Sequence, residues 1–222
     1  MRMNKQIVYH TGFLVLFAIS VGALLRDHTG LPVGKISPRP LRGEHSAYEG
    51  INHMTSAATP FLRAGAAHEI WWFGWQREAF AVARLLNRPI MLYSGNAWSD
   101  LARHLDQTIF TNPELAQLIN DRVIPVRVDQ ADYPEVEVRY HLAARAIGGG
   151  SHDVLVVFLT PSGEIFFAAD ALDNPDDAWR ELATVIDSVS TYYRQNTAVM
   201  ESNAASLHSQ LKAYSIAYWA DA

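Results

Sequence analysis

Residues 89–114 read PIMLYSGNAWSDLARHLDQTIFTNPE. Apolar residues 90–93 run without a break into Ser94 and Gly95, as in a strand buried on both faces. Trp98 follows, and residues 100–107 read as a helix. Asn112 before Pro113 opens another helix, over 113–120, with Asn112 as its N-cap. A helix start of this kind lowers the pKa of a thiol placed on it. The positions there are Ser99, Asp100, Leu101 and Ala102. What the corner does without a thiol is the question the rest of the chain must answer.

The same grammar continues outward. Upstream, Trp75, Ala79, Val82, Ala83 and Leu86 recur at helical spacing, and Asn87-Arg88-Pro89 ends that helix. Downstream, VIPVRVD at 123–129 predicts a second strand and residues 134–146 a helix. A glycine run at 148–150 precedes a third strand, VLVVFLT at 154–160. Pro161-Ser162-Gly163 turns the chain into a fourth strand at 164–170. Asn174-Pro175 caps a long helix reaching about residue 193. The order helix, β, α, β, α, β, β, α predicts an α/β domain with a central mixed sheet flanked by helices.

This order is that of a thioredoxin-like fold, and particular residues go further. The chain resembles the thioredoxin-like domain at the N-terminus of the spermatogenesis-associated, thioredoxin-like family. Trp72, Trp75, Glu78-Ala79-Phe80 and Arg88-Pro89-Ile90 fit that family's opening block. Phe110, Asn112-Pro113-Glu114-Leu115-Ala116 and Asn120 fit a later one. Val126-Arg127-Val128-Asp129, Pro134-Glu135-Val136 and Val157-Phe158-Leu159-Thr160-Pro161-Ser162-Gly163 fit the rest. The resemblance covers about residues 68–170. It implies a C-x-x-C redox pair, which falls here on Ser99 and Ala102, and a cis-proline, which falls on Val154.

Thiol–disulfide exchange needs an attacking thiolate and a second thiol to resolve the mixed disulfide. A serine hydroxyl does neither, and the chain has no cysteine at all. Redox catalysis is therefore excluded, and so are disulfides and Cys-zinc sites. No enzyme activity and no cofactor are expected. Ser99, His104 and Asp106 do not make a hydrolase triad, because their spacing on one helix separates them and no G-x-S-x-G elbow is present. The alternative is that Ser99 or Asp100 caps the helix and the rest is surface. Nine histidines make no H-x-H, H-x₃-H or H-E-x-x-H pattern, so no metal site is expected.

With 222 residues, 49% of them hydrophobic, the chain accommodates one such domain plus further segments. A net charge of −5 with no Lys/Arg block argues against a nucleic-acid partner. Residues 7–25, IVYHTGFLVLFAISVGALL, carry no charged side chain and as a helix span about 28 Å, enough for a membrane core. They predict a single transmembrane helix after a cytoplasmic tail at 1–6, with a cleaved signal peptide as the rival reading. Within it His10 is a weak cofactor candidate that could instead snorkel to the interface. Ala18 and Gly22 form a small-residue pair suited to helix contact. Residues 26–67, rich in Pro and Gly, read as an extended linker. Residues 68–194 form the thioredoxin-like domain.

Residues 195–222 remain, a tail ending in Tyr214, Ile216, Tyr218 and Trp219. Such an aromatic cluster, with Trp98, is an interface candidate. The tail could equally be a strap packed on its own domain. The expected function is a non-catalytic, membrane-anchored accessory subunit of a larger membrane complex, docking through a redox-dead domain. An electron-transfer assembly such as a photosynthetic reaction centre with antenna is one example. Its partners would be other membrane-complex subunits and the lipid bilayer. The expected location is the inner membrane, single-pass, with the C-terminal domain periplasmic. The alternative is a periplasmic chaperone or assembly factor that binds peptides or subunits.

Overall fold

The computed structural model describes Tyr48 and residues 50–149, 153–169 and 178–220, with backbone alone at 178 and 213–220. The chain divides into two units, Met1–Gly50 and Ile51–Ala222, and all the described helices and strands lie in the second. They begin before the expected domain boundary. Asn52 caps a 3₁₀ turn at His53–Ser56, its side chain accepting from the Met54 amide. Thr59 caps helix α1 (Pro60–Ala64), with Pro60 in the first turn, where its missing N–H costs nothing. A second 3₁₀ turn follows at Gly65–Ala67. The expected linker at 26–67 is thus corrected over 53–67. Met54 and Phe61 are buried there, which an extended tether would not achieve.

Helix α2 (Arg77–Leu86) ends at Asn87, which takes a left-handed conformation at φ 47° and closes the helix. Strand β1 (Ile90–Gly95) follows, every residue buried. Helix α3 (Asp100–His104) runs into a π-turn at Leu105–Ile109. Then come α4 (Pro113–Arg122), β2 (Ile124–Asp129), α5 (Pro134–Ala146), β3 (Leu155–Leu159) and β4 (Ile165–Ala169). Helices α6 (Ala178–Gln195) and α7 (Thr197–Ala220) complete the described chain.

The sheet order is β2-β1-β3-β4. β1 runs parallel to β2, with Gly95 opposite Asp129. It runs antiparallel to β3, with Ser94 opposite Leu155. The pleat sends alternate side chains to opposite faces. Tyr93 faces Trp72 and Phe110, while the Ser94 hydroxyl donates to Glu137 of α5 at 2.9 Å. On the α5 side, Trp75 meets Phe80 and Tyr140 edge-on, at 5.0 and 5.8 Å between centroids. Burial and the Arg139 guanidinium act in opposite directions on the Tyr140 phenol, and burial prevails, pushing it up to about 12. The outer edge of β2 is covered by Phe73, which bridges to Val126 in parallel.

The expected tail at 195–222 becomes α7 over most of its length. Met200, Ala204 and Leu207 recur at helical spacing on this helix and are buried. The strap reading therefore holds for its first half. The side chains of Tyr214, Ile216, Tyr218 and Trp219 lie outside the described residues. So do residues 7–25 with His10, Ala18 and Gly22. Among the described residues no helix is long and apolar enough to cross a membrane. α7 has the length, with 24 residues, but carries Glu201, Asn203, His208 and Lys212. α6 carries Arg180, Glu181, Asp187 and Arg194.

Candidate functional site

The corner forms where the C-terminal ends of β1 and β2 meet the start of β3. Gly95 is required by close packing: a Cβ there would lie 2.9 Å from the Phe61 ring and 3.3 Å from Val154 Cγ1. Asn96 then turns the chain, its Oδ1 accepting from the Trp98 amide at 3.2 Å. Its Nδ2 donates to Gln130 Oε1 at 2.8 Å, and Gln130 Nε2 donates to the Asp153 carbonyl at 2.9 Å. Two amide side chains thus lace three loops together beside the helix start.

Ser99 is the N-cap of α3. Its Oγ accepts from the Ala102 amide at 3.0 Å, and the residue is buried. Ala102 is buried too, its carbonyl accepting from the Tyr93 hydroxyl at 3.4 Å. Val154, at the position opposite, is likewise buried. The two positions expected to carry sulfur therefore serve as a cap and a core contact. Asp100 and Arg103 pair at the surface over 2.7 Å. Trp98 is a large apolar side chain left at the surface of this corner, with 76% of its area exposed.

The triad is not assembled. Ser99 spends its acceptor on the helix start. The His104 ring bonds Thr108 at 3.3 Å, one turn further along. Asp106 is not surface, as expected from sequence, but buried and bound to Arg127. Asp106 lies four residues after the buried Ala102 and next to the buried Leu105, so it falls on the helix face that packs inward. Among the described residues no group of three His, Cys, Asp or Glu could hold a metal.

Asp106 belongs to a buried network that the motifs do not reveal. Arg127, fully buried on β2, binds it through Nη1 to Oδ1 and Nη2 to Oδ2, both at 2.6 Å. Arg127 Nε and Nη2 also donate to the Phe61 carbonyl, at 3.0 and 2.7 Å. The guanidinium lies 4.0 Å from the Phe61 ring centroid and 4.9 Å from that of Tyr93. His68 completes the cluster. Its Nε2 faces the Asp106 carbonyl at 3.0 Å, and its Nδ1 accepts from Trp72 Nε1 at 3.1 Å. Burial lowers the His68 pKa, and the Arg127 charge adds to this while Asp106 opposes it. Burial, then the Asp106 charge, raises that of Tyr93. The legible signal was an arginine inside a strand whose neighbours Val126 and Val128 are apolar, since a buried guanidinium demands an internal counter-charge.

Comparison with known proteins settles the ancestry of this frame. The family model Thioredox_DsbH, "Protein of unknown function, DUF255", matches residues 51–212. The chain belongs to this thioredoxin-like family. The match takes in the 3₁₀ turns, α1 and most of α7, in line with the boundaries seen in the structure. Spermatogenesis-associated protein 20 of Rattus norvegicus is 27% identical over 194 residues, covering 87% of this chain and 25% of the relative. The Mus musculus protein of that name is 25% identical over 199 residues, covering 86% and 25%. An uncharacterized Caenorhabditis elegans protein is 26% identical over 163 residues, covering 70% and 22%. The chain spans about a quarter of the length of these curated relatives.

The expected inner-membrane location, with a periplasmic C-terminal domain, is corrected by the relatives, which include spermatogenesis-associated proteins of rodents and man. Neither the family nor the fold gives support to a photosynthetic assembly.

Proposed function

We propose that this chain is a non-catalytic thioredoxin-like domain that docks a protein partner through the corner at 95–103, as one subunit of a larger assembly. One observation carries the reading. The positions that would hold sulfur are a buried cap and a buried core residue, while Trp98 beside them is exposed. A large aromatic side chain held by a capped turn loses little entropy on binding and buries much area, which makes it a suitable anchor.

The test is a photoreactive amino acid with a bulky aromatic ring, p-benzoylphenylalanine, which preserves an aromatic anchor, placed at 98 in the full chain, expressed in its source organism, with Leu142 as an exposed apolar control. Leu142 is 59% exposed on α5. Expected is one partner crosslinked in stoichiometric amount from 98 and absent from 142, with association lost in Trp98→Ala. A mixture of unfolded clients would instead favour peptide holding, and identical products from both positions would sink the docking site. Disulfide reductase activity on a model disulfide should be absent under every condition.

A further inference from the structure

We infer that residues 51–73 form a latch over the sheet that acid weakens, with His68 as its sensor. This goes beyond the docking reading and does not depend on it. The segment is attached by a particular set of polar contacts. The Phe61 carbonyl receives two bonds from Arg127. Asn120 Nδ2 donates to the Glu69 carbonyl at 3.0 Å, and its Oδ1 accepts from the Trp71 amide at 2.9 Å. The Phe73 amide donates to the Pro125 carbonyl, and the Arg127 amide to that of Phe73, each at 2.9 Å. Opening the latch would uncover two surfaces at once. One is Gly95 at the corner, now covered by the Phe61 ring. The other is the outer edge of β2, an open template for strand pairing.

His68 sits where these contacts converge, and its bonds admit one charge state. With Nε2–H donating to the Asp106 carbonyl, Nδ1 must stay bare to accept from Trp72 Nε1–H. A second proton would set two donors against each other across 3.1 Å inside the core. The titratable groups facing the ring are Asp106 from the π-turn, with Oδ1 at 4.0 Å from Nε2, and Arg127 from β2. Tyr93 of β1 is coupled to the same pair. The lowered His68 pKa agrees in sign. The neutral ring favours the closed state above the ordinary histidine pKa of 6.5, and that preference is lost as pH falls below it. If only the open state binds the proton, going from pH 7.5 to 5.0 multiplies the opening constant by up to about 30-fold.

Native-state hydrogen exchange of the full chain, corrected for intrinsic rates, reads this directly. The amides of Phe73 and Arg127 should lose protection by up to about 30-fold between pH 7.5 and 5.0, while those at the centre of β1 and β3 keep theirs. His68→Gln should abolish the dependence and separates the ring from Asp106. Should that variant not fold, Trp72→Phe removes the opposing donor and should shrink the dependence, and the wild-type His68 ring should titrate in NMR below the exposed histidines. Unchanged protection in the wild type, equal loss in the central strands, or a dependence that persists in His68→Gln would each overturn the latch.

Discussion

Replacing Asp106 by Leu isolates the most exposed assumption in this structure, that the Arg127 pair is held by compensation and not by net attraction. In the wild type both partners are buried and joined by two bonds of 2.6 Å. Asp106→Leu leaves a guanidinium with no counter-charge and only the Phe61 carbonyl as acceptor among its present partners. Breaking one side of such a pair costs about 3–5 kcal/mol. A whole domain typically holds only about 5–15 kcal/mol, so this is a large share. Adding Arg127→Met removes the orphaned charge. The double variant then retains one deficit, the Phe61 carbonyl without its donors, at roughly 1–3 kcal/mol. The double variant is therefore expected to be more stable than the single by about 2 kcal/mol. Urea unfolding of the full chain, followed by tryptophan fluorescence, measures all three. A single variant within 1 kcal/mol of wild type, or a double variant no better than the single, would refute this account of the cluster.

Three further outcomes come from the geometry. Ser99→Ala should destabilise by about 0.5–2 kcal/mol through loss of the α3 cap, with partner crosslinking from position 98 unchanged; thermal melts and the crosslink read the two effects separately. Gly95→Ala should cost about 1–3 kcal/mol, because its methyl group would stand 2.9 Å from the Phe61 ring, and the cost of Gly95→Ala should be smaller when measured against a Phe61→Leu background. Leu207→Ala should cost about 2–5 kcal/mol in denaturant unfolding if α7 is part of the folded domain, and nothing measurable if it is a free tail.

The corner at 89–114 was readable because its rules are local. A continuous apolar run makes a strand buried on both faces, and Ser before Asp starts a helix. The loss of two sulfurs needs no structure to detect. The elements from Trp75 to residue 169 followed for the same reason, each carrying its own periodicity. The segment at 53–67 was not legible. Its turns are too short for a period, and they are held by Arg127 and Asn52 from outside their own length. α7 was missed for a related reason: Met200, Ala204 and Leu207 form a thin apolar stripe in a stretch of small polar residues.

The sequence by itself determined the α/β order, the family and the loss of thiol chemistry, since each depends on residue types at fixed short spacing. Only the tertiary structure decided what replaced that chemistry. Ser99 became a buried cap, Trp98 an exposed tip, and Asp106 a buried partner of an arginine twenty-one residues away. Those roles are set by partners that meet across the fold, and pairing of that kind leaves no periodicity for a sequence to display.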